Sequence, residues 1–536
     1  MQLTGLDLAI FAGWIIFMIG SGVWISIRHK SKTTQDYFLA SNTIPWWAVG
    51  GSLIAANISA EQFIGMSGSG FVVGLAISSY ELMAAATLLI VAKFLLPVFI
   101  NKKIYTMPQF LEERFDKRVR TILAFFWVLL FVFVNITSVL YLGALAFTSL
   151  MDIPLIYGII GLALFSATFS IAGGLKAVVW TEVIQVVVLI AGGLLASVLV
   201  LNAVGGGFFE GLKTLVEKAP EKFDMILDKS NPEYKNLPGI SVLIGGMWIA
   251  NLYYWGNNQY IIQRALAAKS IREAQHGALF AAFLKCLLPL IVVIPGIAAF
   301  VLVADIEKAD QAYPWVLGNY MTTGFKGMAI AALVAAIGSS ISAMVNSAST
   351  IFTLDIYRPL FMRSKSSAQH PTGQEQDMRT MSQDQERKLV RVGKIAATLA
   401  LITGALIAPM LGNLQQAFQY IQEYTGFISP GVVAVFLLGM FWKRTSTNAA
   451  LVGMIVSVLV SIFFRLVTPD FPFLDRMGLS FLITVAVMVI ISLLENKEAD
   501  KKAILIERDL FKTSMVFNLG SLAVLAILAV IYAVFW

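Results

Sequence analysis

The chain has 536 residues, of which 58% are hydrophobic and only 13% are charged, and its net charge is +7. A soluble protein of this length normally carries more charge on its surface, so the composition excludes an ordinary soluble enzyme. The basic residues lie in short loops between apolar runs, which does not indicate nucleic-acid binding. Cys286 is the only cysteine, which excludes a disulfide framework and a cysteine metal cluster, and the three histidines match no catalytic spacing.

Apolar runs long enough to cross a bilayer recur along the chain and predict an all-α polytopic membrane protein with about 14 transmembrane helices. The first run has no small-residue cleavage site and is interpreted as a retained span rather than a signal peptide. The predicted spans are 6–27, 45–73, 79–100, 121–149, 153–172, 178–203, 239–258, 276–304, 327–353, 391–411, 414–441, 446–466, 478–495 and 515–535.

Basic residues in the loops predict the orientation of these spans. Of the 39 Lys and Arg residues, 28 lie in alternate loops, which begin near residues 28, 102, 176, 264, 358, 443 and 497. Cytoplasmic loops are enriched in Lys and Arg, so these loops are predicted to be cytoplasmic and both termini external. We therefore expect a multi-pass protein in the lipid bilayer of a bacterial-type inner membrane.

Two connections between the predicted spans are long. Residues 204–238 are predicted to be external, and 208–218 have the pattern of a short amphipathic helix on the surface, either a lid or a plain connector. Residues 364–388 are predicted to be a flexible cytoplasmic linker because they are rich in polar and poor in apolar residues.

The second predicted span contains polar residues that a simple anchor would lack. Asn57, Ser59, Glu61 and Gln62 are followed by three glycines within six residues, 65–70. Interrupted helices at membrane depth are tolerated where they line a cavity, and they are typical of transporter binding sites. Small residues also let helices pack closely, but close packing does not explain Glu61 beside Gln62.

Polar residues recur in four further predicted spans. They are Glu81 in the third, Asn251 in the seventh, Lys285 in the eighth and Gln422 in the eleventh. Ionisable residues at membrane depth are costly and indicate functional sites, although Glu81 and Lys285 also suit a structural ion pair between two helices.

These side chains suit one kind of ligand. Amides, a carboxylate and an ammonium group together donate and accept, as a neutral ligand with many hydroxyl groups requires. Tyr254, Trp255 and Phe418 offer apolar faces for the C–H side of a sugar ring, although aromatic residues also mark ordinary membrane interfaces.

The ninth predicted span carries adjacent hydroxyls at Ser339 and Ser340. Such hydroxyls often bond back to the preceding helical turn. Beside a broken helix they could instead supply oxygen ligands to Na⁺, together with unwound carbonyl groups.

The chain resembles the sodium/solute symporter family, and most closely its sodium/glucose branch. The resemblance covers nearly the whole chain and rests on residues 45–50, 55–62, 173–175, 250–256 and 418–424. It implies a LeuT-type inverted five-helix repeat with peripheral helices. The segments would be 1–44, with a peripheral helix and a cytoplasmic loop, 45–203 as the first repeat, 204–238 as the external loop, 239–441 as the second repeat, and 442–536 as C-terminal peripheral helices.

The resemblance also implies roles for individual residues. The side chains expected to hydrogen-bond a sugar are Gln62, Glu81, Asn251, Lys285 and Gln422. Tyr254 would stack beneath the sugar as an inner gate held by Asn57, with Met66 and Phe418 on the outer side. A co-transported Na⁺ would bind the carbonyl groups of Ala55, Ile58 and Ala336 and the hydroxyls of Ser339 and Ser340.

Three positions depart from the galactose-transporting members of the branch, which carry serine where this chain has Ala84, phenylalanine where it has Asn257, and aspartate where it has Glu182, near the expected sodium exit route. The first two bear on which sugar is preferred. The expected function is sodium-driven import of a monosaccharide, galactose or glucose, by alternating access, with another small solute such as inositol or an amino acid as the alternative. A transport-like sensor or an enzyme subunit is disfavoured, because no cofactor motif and no signalling domain is recognisable.

Overall fold

The computed structural model of the chain describes residues 3–28, 42–151, 153–362, 382–413, 417–495 and 498–536. Within these ranges, the side chains of 26–28, 169–174, 177, 413 and 417 are outside the description. Most of the predicted linker 364–388 therefore lies outside the described residues. The helix Gln383–Ile407 begins inside that predicted linker, where Ser382 and Gln385 form a reciprocal capping box.

The described residues form helices and no β-strand, and one isolated parallel bridge joins Ile44 to Ala268. This confirms the all-α prediction. The α-helices are α1 Gly5–Arg28, α2 Trp46–Asn57, α3 Ser67–Val72, α4 Ser79–Ile90, α5 Leu96–Asn101, α6 Met107–Arg114, α7 Lys117–Leu130, α8 Thr137–Met151, α9 Leu155–Gly205, α10 Phe208–Lys218, α11 Ser241–Ile244, α12 Gly246–Leu252, α13 Gln259–Leu266, α14 Ile271–Leu288, α15 Ile294–Val301, α16 Ala312–Tyr320, α17 Phe325–Ile351, α18 Arg358–Phe361, α19 Gln383–Ile407, α20 Ala417–Thr425, α21 Ser429–Phe441, α22 Thr447–Val467, α23 Phe473–Glu495 and α24 Met515–Val534.

Ten helical segments within the described residues are long and apolar enough to cross a membrane. They are Gly5–Ile25, Leu75–Asn101, Lys117–Met151, Val178–Gly205, Ile271–Val301, Phe325–Phe361, Gln383–Gly412, Thr447–Val467, Phe473–Glu495 and Met515–Val534. A further pair of helices, Phe418–Thr425 and Ser429–Phe441, is also long and apolar enough when the two are taken as one segment, but they are bent by 47° relative to each other. The chain is thus a multi-pass membrane protein.

Two of the remaining predicted spans are broken helices. In the span predicted at 45–73, α2 ends at Asn57, Ile58 is extended with φ −72° and ψ 105°, and a π-helical turn follows at Glu61–Met66. In the span predicted at 239–258, a π-helical turn at Tyr253–Asn257 ends at the extended residue Asn258, with φ −81° and ψ 122°. These breaks lie where the polar and glycine residues predict them.

The helix α9 differs from the sequence prediction of two spans, 153–172 and 178–203. Its backbone is helical without interruption over 51 residues, about 75 Å at 1.5 Å per residue. Length and hydropathy alone therefore placed a boundary that the backbone does not show. Within this helix, Val178–Gly205 is one of the ten candidate spans, and Leu155–Thr168 is a further apolar segment.

Burial separates central from peripheral helices. In the most apolar part of Phe325–Phe361, 94% of the residues are buried, whereas the corresponding figure is 17% for Met515–Val534 and 28% for Thr447–Val467. A helix that is apolar all round and enclosed lies in the middle of a bundle, and one that exposes apolar residues faces lipid. The bundle therefore encloses α17 and places α22 and α24 at its edge.

The long connection after α9 contains the predicted amphipathic helix. It forms α10, Phe208–Lys218, as the sequence pattern predicts. Further along, the ammonium group of Lys222 donates to the carbonyl of Val72 and lies 4.3 Å from the ring centroid of Phe300. Burial lowers the pKa of Lys222. These contacts hold the connection against the end of the first broken helix.

Candidate functional site

A cavity of about 50 Å³ lies between the two broken helices, α4, α14, α20 and α23. All five side chains predicted to bind a polar ligand line it, together with Asn57, Tyr254 and Phe418. The full lining is Asn57, Glu61, Gln62, Tyr80, Glu81, Ala84, Ala250, Asn251, Tyr253, Tyr254, Trp255, Lys285, Phe418, Gln422, Thr425, Ser429 and Met477. Residues that are up to 420 positions apart along the chain therefore meet in one place.

Lys285 is the centre of the cavity's polar contacts. Its ammonium group donates to the carboxylate of Glu81 and to the side-chain carbonyl of Asn57. The side chains of Lys285 and Glu81 are 1% and 3% exposed, which makes them a fully buried ion pair. The structural ion pair considered from the sequence is therefore present. Its location in the cavity wall leaves both groups within reach of a ligand.

The amides in the wall also have internal partners. The side-chain oxygen of Gln62 accepts from the amide and hydroxyl of Ser59, at 3.0 and 3.1 Å. The side-chain nitrogen of Asn251 donates to the carbonyl of Met247 at 3.1 Å. Much of the polar lining is thus satisfied by the protein itself in this conformation.

Tyr254 closes one side of the cavity. Its hydroxyl accepts from the side-chain amide of Asn57 at 3.0 Å and from the hydroxyl of Tyr260 at 2.7 Å. Trp255 packs edge-on against Tyr254, with ring centroids 5.2 Å apart. On another side, Tyr80 and Phe418 form an edge-to-face pair at 5.1 Å. Apolar ring faces therefore flank the polar groups.

Several wall residues were not assigned a role from the sequence. Glu61 lines the cavity, is 5% exposed, and has one carboxylate oxygen without a hydrogen-bond partner among the described residues. Its position beside Gln62 in a broken helix was the available signal. Met477 belongs to a helix predicted to be peripheral, and nothing in its sequence context marked it. Met66, expected on the outer side, is buried but is not among the described residues that line the cavity.

A second cluster of oxygen atoms lies where α2 ends. The hydroxyl of Ser339 donates to the carbonyl of Ala55 at 2.9 Å. That of Ser340 donates to the carbonyl of Ala56 at 3.1 Å and reaches the carbonyl of Ile58 at 3.5 Å. Ala336 stands one turn earlier on the same helix and is fully buried. The structure brings the predicted residues Ala55, Ile58, Ser339 and Ser340 together, and Ala56 joins them.

A buried ion pair connects three helices. The carboxylate of Glu182 in α9 accepts from Arg264 in α13 at 2.7 Å, and both side chains are 0% exposed. The hydroxyl of Ser52 in α2 donates to the same carboxylate, and Arg264 also donates to the carbonyl of Tyr260. Because Tyr260 in turn bonds Tyr254, the ion pair is linked to the cavity wall.

Comparisons with known proteins identify the family that the chain resembles. The model of the Sodium:solute symporter family matches residues 37–457, more than half of the chain. The sodium/glucose cotransporter of Vibrio parahaemolyticus is 50% identical over 100% of this chain and 99% of its own length. The human sodium/myo-inositol cotransporter 2 is 33% identical over 85% of this chain and 69% of its own length.

Solved structures show a similar fold. The substrate-bound, outward-open structure of a Na⁺-coupled sialic acid symporter superposes with a TM-score of 0.79 at 26% identity, covering 93% of this chain and 100% of that one. A nucleobase-cation-symport-1 family transporter has a TM-score of 0.54 at 14% identity, which is a likeness of fold alone.

Proposed function

The chain belongs to the Sodium:solute symporter family, and from this premise we propose that it imports a monosaccharide, galactose or glucose, together with Na⁺ by alternating access. The proposal includes 14 spans, both termini outside, and a LeuT-type inverted repeat formed by 45–203 and 239–441. The 50% identity with the Vibrio sodium/glucose cotransporter over the full chain supports the sugar as cargo.

One observation supports coupling between sodium and sugar: both candidate sites use the same break in the first broken helix. The carbonyl groups of Ala55 and Ile58 face Ser339 and Ser340. Asn57 and Gln62, within the same few residues, line the cavity. A cation that orders the unwound backbone at 55–58 would thereby also set the positions of two side chains in the sugar site.

The cavity chemistry supports a neutral ligand with several hydroxyl groups. Glu81 would accept, Lys285 would donate, and Gln62, Asn251 and Gln422 would do both. At about 50 Å³ the cavity is smaller than the 300–1,000 Å³ typical of small-molecule sites, so a sugar enters only if the wall rearranges. The Lys285 contacts with Glu81 and Asn57 would then be exchanged for sugar hydroxyls, which preserves the number of hydrogen bonds.

The Na⁺ site would consist of the carbonyl groups of Ala55, Ile58 and Ala336 and the hydroxyls of Ser339 and Ser340. The Ser339 hydroxyl lies 2.9 Å from the carbonyl of Ala55, and the Ser340 hydroxyl lies 3.5 Å from that of Ile58, so these four oxygens share one small space. On sodium binding, each serine would turn its lone pairs, instead of its proton, toward the centre of that space. Unwound carbonyl groups beside such hydroxyls are the oxygen ligands that a hard cation prefers.

Release to the inside would require Tyr254 to move. Its hydroxyl holds Asn57 and Tyr260 together, and Tyr260 is tied to the Glu182–Arg264 ion pair. Opening this side of the cavity therefore requires several linked hydrogen bonds to break, in addition to the movement of the Tyr254 ring. Met66 and Phe418 would stand on the outer side of the sugar.

The membrane potential provides a sufficient driving force. Moving one charge across 100 mV is worth roughly 2.3 kcal/mol. With one Na⁺ per sugar, an assumed ratio, this permits roughly fifty-fold accumulation at about 1.4 kcal/mol per tenfold.

The test is uptake of labelled galactose and glucose by the purified protein in liposomes under an inward Na⁺ gradient, with K⁺ as the matched control. We expect uptake with Na⁺ only, and competition that ranks the two sugars. Uptake that does not depend on the cation would remove Ser339 and Ser340 from a sodium site. Absence of uptake of either sugar by a folded protein would reject the monosaccharide.

The alternative cargo is myo-inositol, a cyclic polyol with the same hydroxyl chemistry. The 33% identity with the human sodium/myo-inositol cotransporter 2 favours including it. In the same liposomes, an excess of unlabelled inositol would abolish sugar uptake if it is the better ligand and leave uptake unchanged if it is not bound.

A further inference from the structure

A second cavity, of about 400 Å³, lies where two of the candidate membrane spans begin, Ile271–Val301 and Met515–Val534. It is separate from the sugar cavity and shares no lining residue with it. Its polar lining consists of Arg272, Gln275, Asp509, Lys512 and Ser514. Both segments are on the side of the membrane that the positive-inside rule predicts to be cytoplasmic. The cavity therefore opens at the boundary between membrane and water.

The charge of this lining is positive. Arg272 is exposed at the first turn of α14, and Lys512 precedes α24. Lys512 is paired with Asp509 at 2.9 Å, but the two side chains are 76% and 77% exposed. Exposed pairs of this kind contribute little, so Lys512 can exchange Asp509 for a better acceptor. The carboxylate of Asp509 would repel an anion, but with Arg272 and Lys512 the lining still has a net charge of +1.

The other acidic group nearby is turned away. Glu273 accepts a hydrogen bond from the backbone N–H of Trp46 at 2.6 Å, and its own N–H is capped by the hydroxyl of Ser270 at 3.2 Å. The N-terminal end of an α-helix carries partial positive charge, and residues Ile271 and Arg272 of α14 present this end to the cavity. The charged side chains and the helix N-terminus therefore both favour an anionic ligand.

Gln275 supplies the observation that points to a ligand. It is 3% exposed and lines the cavity, yet its side-chain nitrogen has no hydrogen-bond partner among the described residues. A buried donor without an acceptor costs free energy, so such groups are normally paired in proteins. Opposite Gln275, the hydroxyl of Ser514 lies 2.8 Å from the imidazole of His276 and caps the N–H of Phe517 at 3.2 Å. An acceptor-rich group in the cavity would satisfy Gln275.

The surroundings distinguish a lipid from a soluble anion. The helix α24 begins directly after Ser514, and Met515, Val516 and Leu519 are 75%, 61% and 56% exposed. Exposed apolar residues at the start of a membrane span face acyl chains. A headgroup in the cavity would therefore place its acyl chains along this face of α24.

We propose that this cavity binds the phosphate of an anionic phospholipid, with Arg272, Lys512 and the Gln275 amide as donors. Basic pockets between membrane helices on the cytoplasmic side are suited to anionic headgroups. A phospholipid headgroup and free phosphate both offer the same phosphate group to these donors. The position of the cavity at the start of two membrane spans favours the phospholipid.

The test measures lipid retention by native mass spectrometry of the full chain, purified in neutral detergent and exchanged with either phosphatidylglycerol or phosphatidylcholine. We expect one phosphatidylglycerol retained per chain and no comparable retention of phosphatidylcholine. In Arg272→Gln/Lys512→Gln, the affinity for phosphatidylglycerol should fall about tenfold or more, since each charged contact contributes more than a neutral one. Gln275→Met, which keeps the volume and the net charge, should weaken it about threefold or more.

The matched control is Lys213→Gln/Lys218→Gln on α10, which removes the same charge from another exposed surface and should retain the lipid. Titration with inorganic phosphate provides a second arm. Binding of phosphate that is lost in Arg272→Gln/Lys512→Gln, without selective retention of phosphatidylglycerol, assigns the site to a soluble phosphate instead. Equal retention of phosphatidylglycerol by the wild type and both cavity variants overturns the proposal.

Discussion

The ammonium group of Lys285 contacts the carboxylate of Glu81, and the two residues form a fully buried ion pair in the wall of the polar cavity. The same ammonium group also holds Asn57, which in turn donates to the hydroxyl of Tyr254. Lys285 therefore connects Glu81 to Asn57 at the first helix break, and through Asn57 to Tyr254 on the aromatic side of the cavity. The Lys285 ammonium group that stabilises the fold through this ion pair is therefore the same group that would bind the sugar.

Lys285→Ala should abolish sugar binding and also lower stability, because it leaves the Glu81 carboxylate buried without a partner. Breaking a buried ion pair by removing one member typically costs about 3–5 kcal/mol. The double variant Glu81→Gln/Lys285→Met should regain most of the thermal stability while sugar uptake stays absent. Thermal unfolding in detergent and uptake in liposomes measure the two effects separately. Normal sugar binding by an unstable Lys285→Ala would leave the pair a purely structural role.

Gln62→Ala and Glu81→Ala should likewise abolish sugar binding while the protein remains inserted in the membrane. Each removes one polar group from the cavity wall. Equilibrium binding of labelled galactose to the purified protein measures this, and gel filtration shows whether the fold is retained. Binding at the wild-type level by Gln62→Ala would exclude that amide from the site.

Ser340→Ala should raise the Na⁺ concentration for half-maximal transport. The hydroxyl lies 3.1 and 3.5 Å from the carbonyls of Ala56 and Ile58 and would be lost as a ligand. Ser342→Ala is the control, because that hydroxyl donates to Gly338 in its own helix at 2.6 Å. The sodium dependence of uptake should shift about fivefold or more in the first variant and stay unchanged in the second. An identical dependence in both would remove Ser340 from the sodium site.

Tyr254→Phe should speed sugar exchange across the inner side of the cavity. The variant keeps the ring but loses the hydroxyl that joins Asn57 and Tyr260, and each hydrogen bond is worth about 1 kcal/mol. We expect exchange several-fold faster with little change in sugar affinity. Tyr141→Phe is the control, since the hydroxyl of this buried tyrosine has no hydrogen-bond partner among the described residues. Exchange at the wild-type rate in Tyr254→Phe would leave the hydroxyl without a role in gating.

Ala84→Ser should increase the affinity for galactose relative to glucose. Ala84 lines the cavity. The resemblance to the sodium/glucose branch implies a serine at this position in its galactose-transporting members. One added neutral hydrogen bond is worth about 1 kcal/mol, or roughly fivefold in affinity. Competition between the two sugars in the uptake assay measures the change, and an unaltered ratio would show that Ala84 does not influence the choice of sugar.

Local pattern was sufficient for much of the fold. Ten candidate spans, the two broken helices and the amphipathic helix Phe208–Lys218 were all predicted from runs of apolar residues and their interruptions. Such features depend on residues within one or two turns of each other. The break in the backbone that was predicted between the spans 153–172 and 178–203 is absent, because the helix Leu155–Gly205 is continuous; Val178–Gly205 is still a candidate span within it.

The sequence by itself determined that polar groups would stand at membrane depth and that two helices would be broken, because each such residue is costly in an apolar span wherever it points. Only the tertiary structure decided which groups meet. The pairing of Glu182 with Arg264, 82 residues apart, the contact of Ser340 with Ala56, and the presence of Met477 in the cavity wall follow from helix packing. Helix packing brings residues together according to the shapes of the helices and their distances in space, and one amino-acid sequence contains no direct information on either.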